Sequence, residues 1–512
     1  MEYSLASLLI YIPIFLILHQ LTKLLLSYVP GGKKLPPGPP GWPVFGHMFN
    51  LGTLPYATMA RLKDKYGPVL WLRLGSVNTM VILNASAAEE LFKNHDASFC
   101  DRKTVQVLRS HNFHKSSLAL SAYTPYWRML RRLCTMEIFA TRKINMTVGI
   151  RRKCIDDLVS WIEKKSANTN TNIKEKKGVH IAHLMFLTSF NIFGNLMMSR
   201  DVVDPDSEVG SELFTALVKS THWAACPNIS DLFEFLKPFD LQGLQRNMNR
   251  DLGHLLEIVS KFVKERMKER EDPCREKTDD FLDVLLDFEG KGGEEPKKLS
   301  EHNIFIFILE MFLAGAETTS TTTEWALSEL LRNPKELTKV KMEVQSVVGP
   351  NRKLEESDIE NLPFLQAIVK ETLRLHPVVP FLLPRSATKD TNFMGYDIPK
   401  NTQVLINAWA IGRDPETWDD PSSFKPERFL DSNIDYRGQH FELIPFGAGR
   451  RMCVGLPLAH RTLHLMLGSL LHEFDWELED SLQGHKLDMT EQLGITVRKL
   501  EPLKAVPTRR AI

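Results

Sequence analysis

The chain has 512 residues, a net charge of +1 and 43% hydrophobic residues, which is enough apolar material for a large buried core. The near-neutral charge excludes the broad electropositive field of many nucleic-acid-binding proteins, so we predict no nucleic acid partner. The cysteines are widely scattered, at positions 100, 134, 154, 226, 274 and 453. Their spacing fits neither a disulfide framework nor a zinc site, so each is most simply a reduced thiol.

Residues 1–29 are predicted to form a membrane anchor. Residues 5–18 are almost entirely apolar, and the longer stretch 3–29 covers the ~20 residues that a membrane span needs, although Lys23 interrupts it. A cleaved signal peptide is the alternative, but no positive segment precedes the run and no small-residue cleavage site follows it. Lys33 and Lys34 follow the run, so the positive-inside rule places the rest of the chain in the cytosol.

Residues 30–47 are predicted to be a proline-rich hinge. The stretch "LPPGPPGWPVFGH" (35–47) has five prolines and three glycines, a composition typical of a semi-rigid spacer with little internal hydrogen bonding. An ordinary surface loop is the alternative. No later linker is long enough to require a second domain, so residues 48–512 are predicted to form a single domain.

This domain is predicted to be mainly helical, with small β-sheets. Residues 66–84 contain two β-branched, apolar runs separated by Gly75 and Ser76, which indicates a hairpin. Helical periodicity dominates residues 86–335, and short strand-like runs alternate with proline-rich loops after residue 376. Exposed loops or helix ends are predicted at the polar stretches 164–178, 268–280 and 287–298.

A buried helix is predicted over residues 304–331. The apolar run Ile304–Ala316 contains only one charge, Glu310, and a helix that is apolar on most faces is a buried helix. A second membrane span is the alternative, but the uninterrupted run is too short.

Polar residues end that apolar run. Glu317 is followed by six hydroxyl residues, 318–323, whose side chains can bond back to carbonyls of the preceding turn. This pattern predicts a distortion of the helix with room beside it. A carboxylate and a hydroxyl there suit proton delivery into a dry pocket, and a polar helix end is an equally good interpretation.

Two further stretches carry paired charges. Residues 362–377 have helical periodicity and end at Pro377, and they place Glu371 and Arg374 three positions apart. On an exposed face this pair would contribute only a few tenths of a kcal/mol. Arg428, in "FKPERFL", could join the pair in a buried network. Each of these signals is weak alone.

The loop "PFGAGRRMCVG" (445–455) places Cys453 among glycines and arginines, just before another helical pattern. Positive charge and a helix N-terminus both favour thiolate over thiol. The thiol could be a nucleophile, a redox group or a single axial ligand. A nucleophile needs a nearby base, and the sequence shows none. A lone thiolate ligand needs a metal that is held mainly by something else, such as a porphyrin.

Together these stretches resemble the haem-thiolate monooxygenases, the cytochrome P-450 superfamily. The loop matches every fixed position of the haem-binding signature: Phe446, Gly449, Arg451, Cys453 and Gly455. Four more motifs fall in the expected order: WRMLR (127–131), AGAETT (314–319), ETLR (371–374) and PERF (426–429). The resemblance covers essentially the whole chain, including the anchor and the hinge.

The resemblance implies the haem-thiolate monooxygenase fold, with residues 48–512 as a single haem-binding catalytic domain and haem b (iron protoporphyrin IX) as the cofactor. Cys453 would be the thiolate ligand of the iron, and its electron donation would favour O–O cleavage. Glu317 and Thr318 would deliver protons. Phe446 would pack near the thiolate. The residues that would hold the haem propionates are Trp127, Arg131, Arg385 and Arg451.

The resemblance also implies supporting and pocket residues. Glu371, Arg374 and Arg428 would be structural and support the haem loop. An apolar substrate pocket is expected, although some of its residues could merely fill the core. Its candidate lining residues are Phe307, Met311, Ala314, Val378, Val379, Phe381, Leu493 and Ile495.

The implied reaction inserts one oxygen atom from O2 into a small lipophilic substrate. Electrons would come from NADPH through a membrane-bound flavoprotein reductase, because the chain has no flavin or nucleotide motif. The residues within these motifs are similar to those of plant microsomal enzymes. This resemblance implies a single-pass protein of the endoplasmic reticulum membrane with its catalytic domain facing the cytosol. Within these, the chain resembles terpenoid and iridoid oxidases close to geraniol hydroxylases.

Three alternatives remain open. Flavonoid or other phenylpropanoid hydroxylases are the nearest alternative in substrate class. A haem-thiolate isomerase or dehydratase of the same fold would need neither O2 nor a reductase, but such enzymes often lose the acid–hydroxyl pair that Glu317 and Thr318 provide. A non-enzymatic haem protein would have no need of a pocket helix with proton-delivery groups.

Overall fold

The structure, a computed structural model, describes residues 34–169, 178–206, 208–274, 278, 280–479 and 484–510. The predicted membrane anchor at residues 1–29 lies outside the described residues. Within them the chain is mainly helical with small β-sheets, which confirms the predicted fold class. The helices in chain order are α1 (Pro55–Arg61), α2 (Lys63–Tyr66), α3 (Ala85–Asn94), α4 (Phe113–Ser116), α5 (Pro125–Leu133), α6 (Thr141–Met146), α7 (Val148–Thr169), α8 (Ile181–Met198), α9 (Glu208–Ala225), α10 (Ile229–Leu232), α11 (Leu244–Glu269), α12 (Phe281–Leu286), α13 (Glu301–Arg332), α14 (Pro334–Val348), α15 (Pro363–Leu375), α16 (Ala408–Ile411) and α17 (Leu456–Glu473).

The strands form small sheets around this helical body. A five-stranded sheet has the order β1-β2-β8-β5-β3, and three smaller sheets have the orders β10-β11, β4-β12-β9 and β6-β7. The strands are β1 (Val69–Leu74), β2 (Val77–Ile82), β3 (Asp101–Arg102), β4 (Val179–His180), β5 (Arg385–Ser386), β6 (Thr391–Phe393), β7 (Tyr396–Ile398), β8 (Gln403–Ile406), β9 (Phe474–Leu478), β10 (Glu491–Leu493), β11 (Val497–Lys499) and β12 (Lys504–Arg509).

The five-stranded sheet begins with the hairpin predicted at residues 66–84. Strands β1 and β2 are antiparallel, and Gly75 closes their turn with a φ of 59°, a conformation that favours glycine. Strand β8 lies between β2 and β5, and β5 pairs with β3 so that Arg102 stands opposite Arg385. The sheet therefore brings together two arginines that are far apart in the sequence.

Helix α13 runs through the centre of the molecule and packs against α8, α11 and α17. It is continuous from Glu301 to Arg332, so the predicted distortion of this helix is wrong. The hydroxyls do bond back as expected, for example from Thr318 to the Ala314 carbonyl at 2.6 Å. Such a bond adds a second donor to a carbonyl without removing the main-chain bond, so the helix persists.

Among the described residues, α8 and α13 are long and apolar enough to cross a membrane. Their most apolar windows are 72% and 67% buried inside the protein, however, as expected of core helices.

The described part of the proline-rich segment, residues 34–47, lies against β1. The Trp71 amide donates to the Pro37 carbonyl at 2.8 Å, and the buried His47 accepts from the Arg73 amide at 3.0 Å. A Cβ at Gly38 would lie 2.0 Å from the Trp71 carbonyl oxygen, so only glycine permits this close approach. The segment is thus fastened to the sheet over these residues.

Candidate functional site

The cysteine loop joins a short 3-10 turn, Gly449–Arg451, to the first turn of α17. The Cys453 amide donates to the Phe446 carbonyl at 3.0 Å, which closes the loop on itself. The Phe446 ring packs on Tyr436, with ring centroids 5.4 Å apart. Cys453 thus lies at a helix N-terminus, as the sequence predicted, and its side chain is accessible while its neighbours Arg451 and Leu456 are buried.

Although the Cys453 side chain is accessible, it lies deep among protein atoms, and this depth raises the pKa of its thiol above its usual range. The backbone N–H groups of Gly455 and Leu456 and the charge of Arg131 act in the opposite direction. A helix N-terminus and a positive charge therefore favour the thiolate, as predicted, but the charge is that of Arg131 and the effect of burial is larger. A metal cation would reverse the balance, because a coordinated thiol is deprotonated.

Asp96 connects the cysteine loop to the five-stranded sheet. One of its carboxylate oxygens accepts from Arg385 at 2.7 Å, and the other accepts from the Arg450 amide at 2.9 Å. Gly449 has a φ of 67°, and a Cβ there would lie 2.8 Å from the Asp96 carboxylate. Glycine is therefore required at position 449 by both backbone conformation and space.

Four arginines surround the loop: Arg102, Arg131, Arg385 and Arg451. We call them the arginine cluster. Arg131 donates to the Met452 carbonyl at 2.8 Å, and Arg385 donates to Asp96 and to the Ala448 carbonyl. Burial and the charges of Arg385 and Arg451 lower the pKa of Arg102, and burial with Arg385 lowers the pKa of Arg451 to about 10. Mutual repulsion within the cluster is therefore substantial.

Arg451 is incompletely partnered within the described residues. Its Nε donates to the Cys100 carbonyl at 2.9 Å and one Nη donates to the Ser121 carbonyl at 2.8 Å, but the other, Nη1, is buried with no hydrogen-bond partner there. The guanidinium lies 4.1 Å from the Trp127 ring centroid. The Trp127 indole N–H donates to the Leu118 carbonyl at 2.7 Å, so in this arrangement Trp127 supports Arg451 through its ring.

The site fits haem. Within the described chain, the four arginines of the cluster face the carboxylates of Asp96, Asp101 and Glu310, and a buried guanidinium N–H without an acceptor is costly. Two propionates would supply the missing negative charge and an acceptor for Arg451. Among the described residues no three His, Cys, Asp or Glu side chains are grouped to hold a metal ion, so Cys453 would be a single protein ligand.

Helix α13 places Glu317 and Thr318 on a partly accessible stretch beside Ala314, although most of the helix is buried. Thr496 donates to the Glu317 carboxyl at 2.5 Å. Burial raises the pKa of Glu317, while Thr496 and the more distant Arg498 act in the opposite direction. Glu317 therefore holds a proton more readily than an ordinary glutamate.

The structure joins Glu371, Arg374 and Arg428 in one network. Arg374 makes a bidentate contact with Glu371, with both N–O distances 2.7 Å, and Arg428 donates to Glu371 at 3.1 Å. The remaining Arg374 donors bond to the carbonyls of Gly412, Pro421 and Ser423. This buried network ties α15 to the loop that leads toward the cysteine.

The candidate pocket residues fall into two groups. Val378 lies beside the 493–497 turn, because its carbonyl accepts from the Val497 amide at 2.8 Å, and Thr496 in that turn contacts Glu317. Phe307 and Met311 lie in the packed core, where Phe307 is 1% exposed and its ring is tilted against Phe281, with centroids 5.4 Å apart. The residues on partly accessible backbone or side-chain surface are Ala314, Val378, Val379, Phe381, Leu493 and Ile495.

Sequence reasoning missed Asp96, Arg102, Glu310 and Thr496 as parts of this site. Asp96 and Arg102 lie about 350 residues before the cysteine loop, and no periodicity links them to it. Only the contrast of Glu310 with its apolar surroundings signalled a special role in the sequence.

Comparison with known proteins agrees with this geometry. A family model described as Cytochrome P450 matches residues 36–503. Relatives include cytochrome P450 76A2 of Solanum melongena, 57% identical over 93% of both chains, and two proteins of Catharanthus roseus. These are an iridoid oxidase, 50% identical over 93% of both chains, and a geraniol 8-hydroxylase, 40% identical over 93% of this chain and 94% of the relative.

The fold is shared with solved structures. The structure of a zebra fish cytochrome P450 with progesterone superposes with a TM-score of 0.74 over 89% of this chain and 99% of its own, at 24% identity. With the cysteine loop, the arginine cluster and these similarities, the chain belongs to the cytochrome P450 family. Members of this family are haem-thiolate monooxygenases that bind haem b and require O2 and a redox partner.

Proposed function

We propose that this enzyme oxidises a small lipophilic plant metabolite, most specifically a monoterpenoid or an iridoid, with NADPH as the electron source. The similarity to the iridoid oxidase at 50% identity over nearly the whole chain carries this proposal. The apolar side chains around Val378 and the 493–497 turn support a lipophilic ligand. The bound haem would supply oxygen activation.

The protein's own residues would then have distinct tasks. Cys453 holds the metal, and the arginine cluster neutralises the propionates. Glu317, with its raised pKa, holds a proton at its carboxyl, where Thr496 orients it. The Thr318 hydroxyl donates to the Ala314 carbonyl at 2.6 Å. Because Thr318 is next to Glu317, it is the second candidate for proton transfer.

A flavoprotein reductase is the proposed partner. A cleft of about 380 Å³ lies beside the cysteine loop and is lined by Arg128, Arg131, Arg132 and Arg450 among others. Positive charge at this face would attract an acidic partner surface and speed its association.

We also propose a single-pass location in the endoplasmic reticulum membrane, with the catalytic domain facing the cytosol. An apolar surface close to the start of the described chain supports it. Phe45 contacts Phe49 and Phe233, with centroids 5.3 and 6.0 Å away. The exposed side chains on these two adjoining segments are Trp42, Phe45, Phe49, Ile229, Phe235, Phe239 and Leu241. Exposed aromatic and aliphatic groups of this kind favour a membrane interface.

The test is turnover of a panel of terpenoids and flavonoids with a plant reductase and NADPH. Oxidised monoterpenoid or iridoid products are expected, and preferential turnover of flavonoids would contradict the substrate assignment. Conversion that continues without O2 and NADPH would instead support an isomerase or dehydratase. Binding without conversion of any compound would favour the non-enzymatic alternative.

The ligand assignment has its own test. The carbon monoxide difference spectrum of the reduced protein should show a thiolate-ligated haem, and Cys453→Ala should abolish that signature. Cys274→Ala is the matched control, because Cys274 is an exposed free thiol, and it should leave the spectrum unchanged. A thiolate signature that survives Cys453→Ala would contradict the assignment.

A further inference from the structure

Glu310 is a buried carboxylate that none of the roles above uses. It lies on α13, seven residues before Glu317, and is 4% exposed. A carboxylate at such a depth is costly unless hydrogen bonds satisfy it. Glu310 accepts three, all from one short segment: from the Ser117 hydroxyl at 2.5 Å, the Leu118 amide at 2.6 Å and the Ala119 amide at 2.8 Å.

Each of these three partners acts as a donor. The Ser117 oxygen itself accepts from the Leu120 amide at 2.9 Å, so its proton is free to point at Glu310. Burial raises the pKa of Glu310, while the three donors and the charge of Arg102 act in the opposite direction. An ionised carboxylate accepts all three bonds at once, and such charge-assisted bonds are stronger than neutral ones.

The same segment, residues 117–121, directs its carbonyls toward the haem side of the site. Three side chains there donate one hydrogen bond each to these carbonyls. The pairs are Trp127 Nε1 to the Leu118 carbonyl at 2.7 Å, Arg102 Nε to the Ala119 carbonyl at 2.8 Å, and Arg451 Nη2 to the Ser121 carbonyl at 2.8 Å. The segment thus donates to Glu310 on α13, and its carbonyls accept from Arg102, Arg451 and the Trp127 indole.

We propose that Glu310 is a positioning residue for haem binding. By fixing the 117–121 segment, it fixes Arg102 and Arg451, and the unpartnered Arg451 Nη1 is thereby held in place for a propionate. Glu310 itself touches neither cofactor nor substrate in this assignment. The same helix that carries Glu317 therefore also sets the geometry of the arginine cluster, through a segment of five residues.

Glu310→Gln in the full-length, haem-loaded protein tests this proposal. The amide group has only one accepting oxygen, so at least one donor of the segment loses its partner. Transfer of haem to excess apomyoglobin should accelerate about tenfold, the lower end of what loss of an outer hydrogen-bonding group costs a metal site. Amide hydrogen exchange, measured by mass spectrometry, should rise in peptides that contain residues 117–121.

Glu324→Gln is the matched control. Glu324 is also 4% exposed on α13, but it accepts from the Leu503 amide at 2.7 Å, away from the segment. It should lower the unfolding temperature while leaving haem transfer and exchange at 117–121 unchanged. Equal unfolding temperatures for the two variants, together with a wild-type haem transfer rate in Glu310→Gln, would overturn the proposal.

Ser117→Ala provides a second variant that removes only one of the three bonds. It also removes the bond that the Ser117 oxygen accepts from the Leu120 amide. Haem transfer should accelerate about twofold to threefold, because Leu118 and Ala119 keep their bonds to Glu310. If Glu310→Gln yields no folded protein, a wild-type rate of haem transfer and of segment exchange in Ser117→Ala would overturn the proposal instead.

Discussion

Two groups of buried arginines in this molecule differ in how completely the protein itself satisfies them. Arg374, with a side chain that is 0% exposed, has a partner for each guanidinium nitrogen: the Glu371 carboxylate or a backbone carbonyl. Arg451 is also buried but leaves Nη1 without an acceptor in the described chain, and the largest charge effect on its pKa comes from another arginine, Arg385. We call the Glu371–Arg374–Arg428 network the closed group, because each Arg374 guanidinium nitrogen has a partner. We call the arginine cluster the open group, because Arg451 Nη1 has no acceptor in the described chain.

The difference separates architecture from function. A closed network adds nothing that a ligand could use, and breaking it leaves a buried charge unpaired. An open cluster carries unsatisfied charge that a bound anion can neutralise. Substitutions in the closed group should therefore lower the stability of the fold. Substitutions in the open group should weaken cofactor binding, with a smaller effect on stability.

The largest expected effect is on the closed group. Glu371→Gln should lower the free energy of unfolding by about 3–5 kcal/mol, because it leaves Arg374 buried without its countercharge. Denaturant unfolding measures this change. Glu89→Gln is the control: Glu89 pairs with Lys93 on an exposed helix face, and its loss should change stability by less than ~0.5 kcal/mol. A similar small change in Glu371→Gln would remove the basis for calling this group structural.

Arg451→Gln tests the open cluster. Haem affinity should fall about 10- to 100-fold, because a charge-assisted contact to a propionate is lost. The rate of haem transfer to apomyoglobin measures it. Arg200→Gln, at an exposed pair with Glu265, should leave that rate unchanged. If Arg451→Gln retained haem like the wild type, the two arginine groups would not differ in the proposed way.

The comparison extends to hydroxyls on α13. Thr318→Ala should lower the product formed per NADPH by about tenfold, because proton transfer by a positioned group is lost. Thr322→Ala removes an equivalent hydroxyl, which bonds back to the Thr318 carbonyl at 2.8 Å in a buried position, and should keep the coupling of the wild type. Equal coupling in both variants would argue against a role for Thr318 in proton transfer.

Glu317 offers the smallest and most specific test, through pH. Its pKa is raised in the folded protein, so between the unfolded and folded pKa values the folded state binds more protons and stability falls as pH rises. Glu317→Gln removes this penalty. Denaturant unfolding should therefore show that the variant gains stability relative to the wild type between pH 5 and pH 8: the difference in unfolding free energy, variant minus wild type, is larger at pH 8. A pH-independent difference would contradict the raised pKa.

Local patterns made much of the fold predictable. The hairpin at 66–84 and the helix that spans Glu371 and Arg374 follow from short periodic stretches, and both are observed. The end of that helix at Leu375, just before Pro377, also follows from the sequence. The continuity of α13 depends on hydrogen-bond geometry that composition does not determine.

The site was predictable only where a motif carried it. The cysteine loop is contiguous in sequence, so its glycines, arginine and thiol were visible together. Asp96 and Arg102 reach the loop through the pairing of β3 with β5 and through the end of α3, contacts between distant parts of the chain. The balance between burial and charge at Cys453 likewise depends on the surrounding volume, which a sequence does not contain.

Gly449 limits how this site can change. The left-handed backbone and the Asp96 carboxylate 2.8 Å from the Cβ position together exclude any side chain there. Removing Asp96 would make space, but it would also release Arg385 and the Arg450 amide, and it would leave the backbone strain in place. A saturation library at position 449 should therefore yield no functional variant other than glycine, even in an Asp96→Ala background. Substitutions that diversify the enzyme are therefore expected at positions other than 449, while this loop stays fixed.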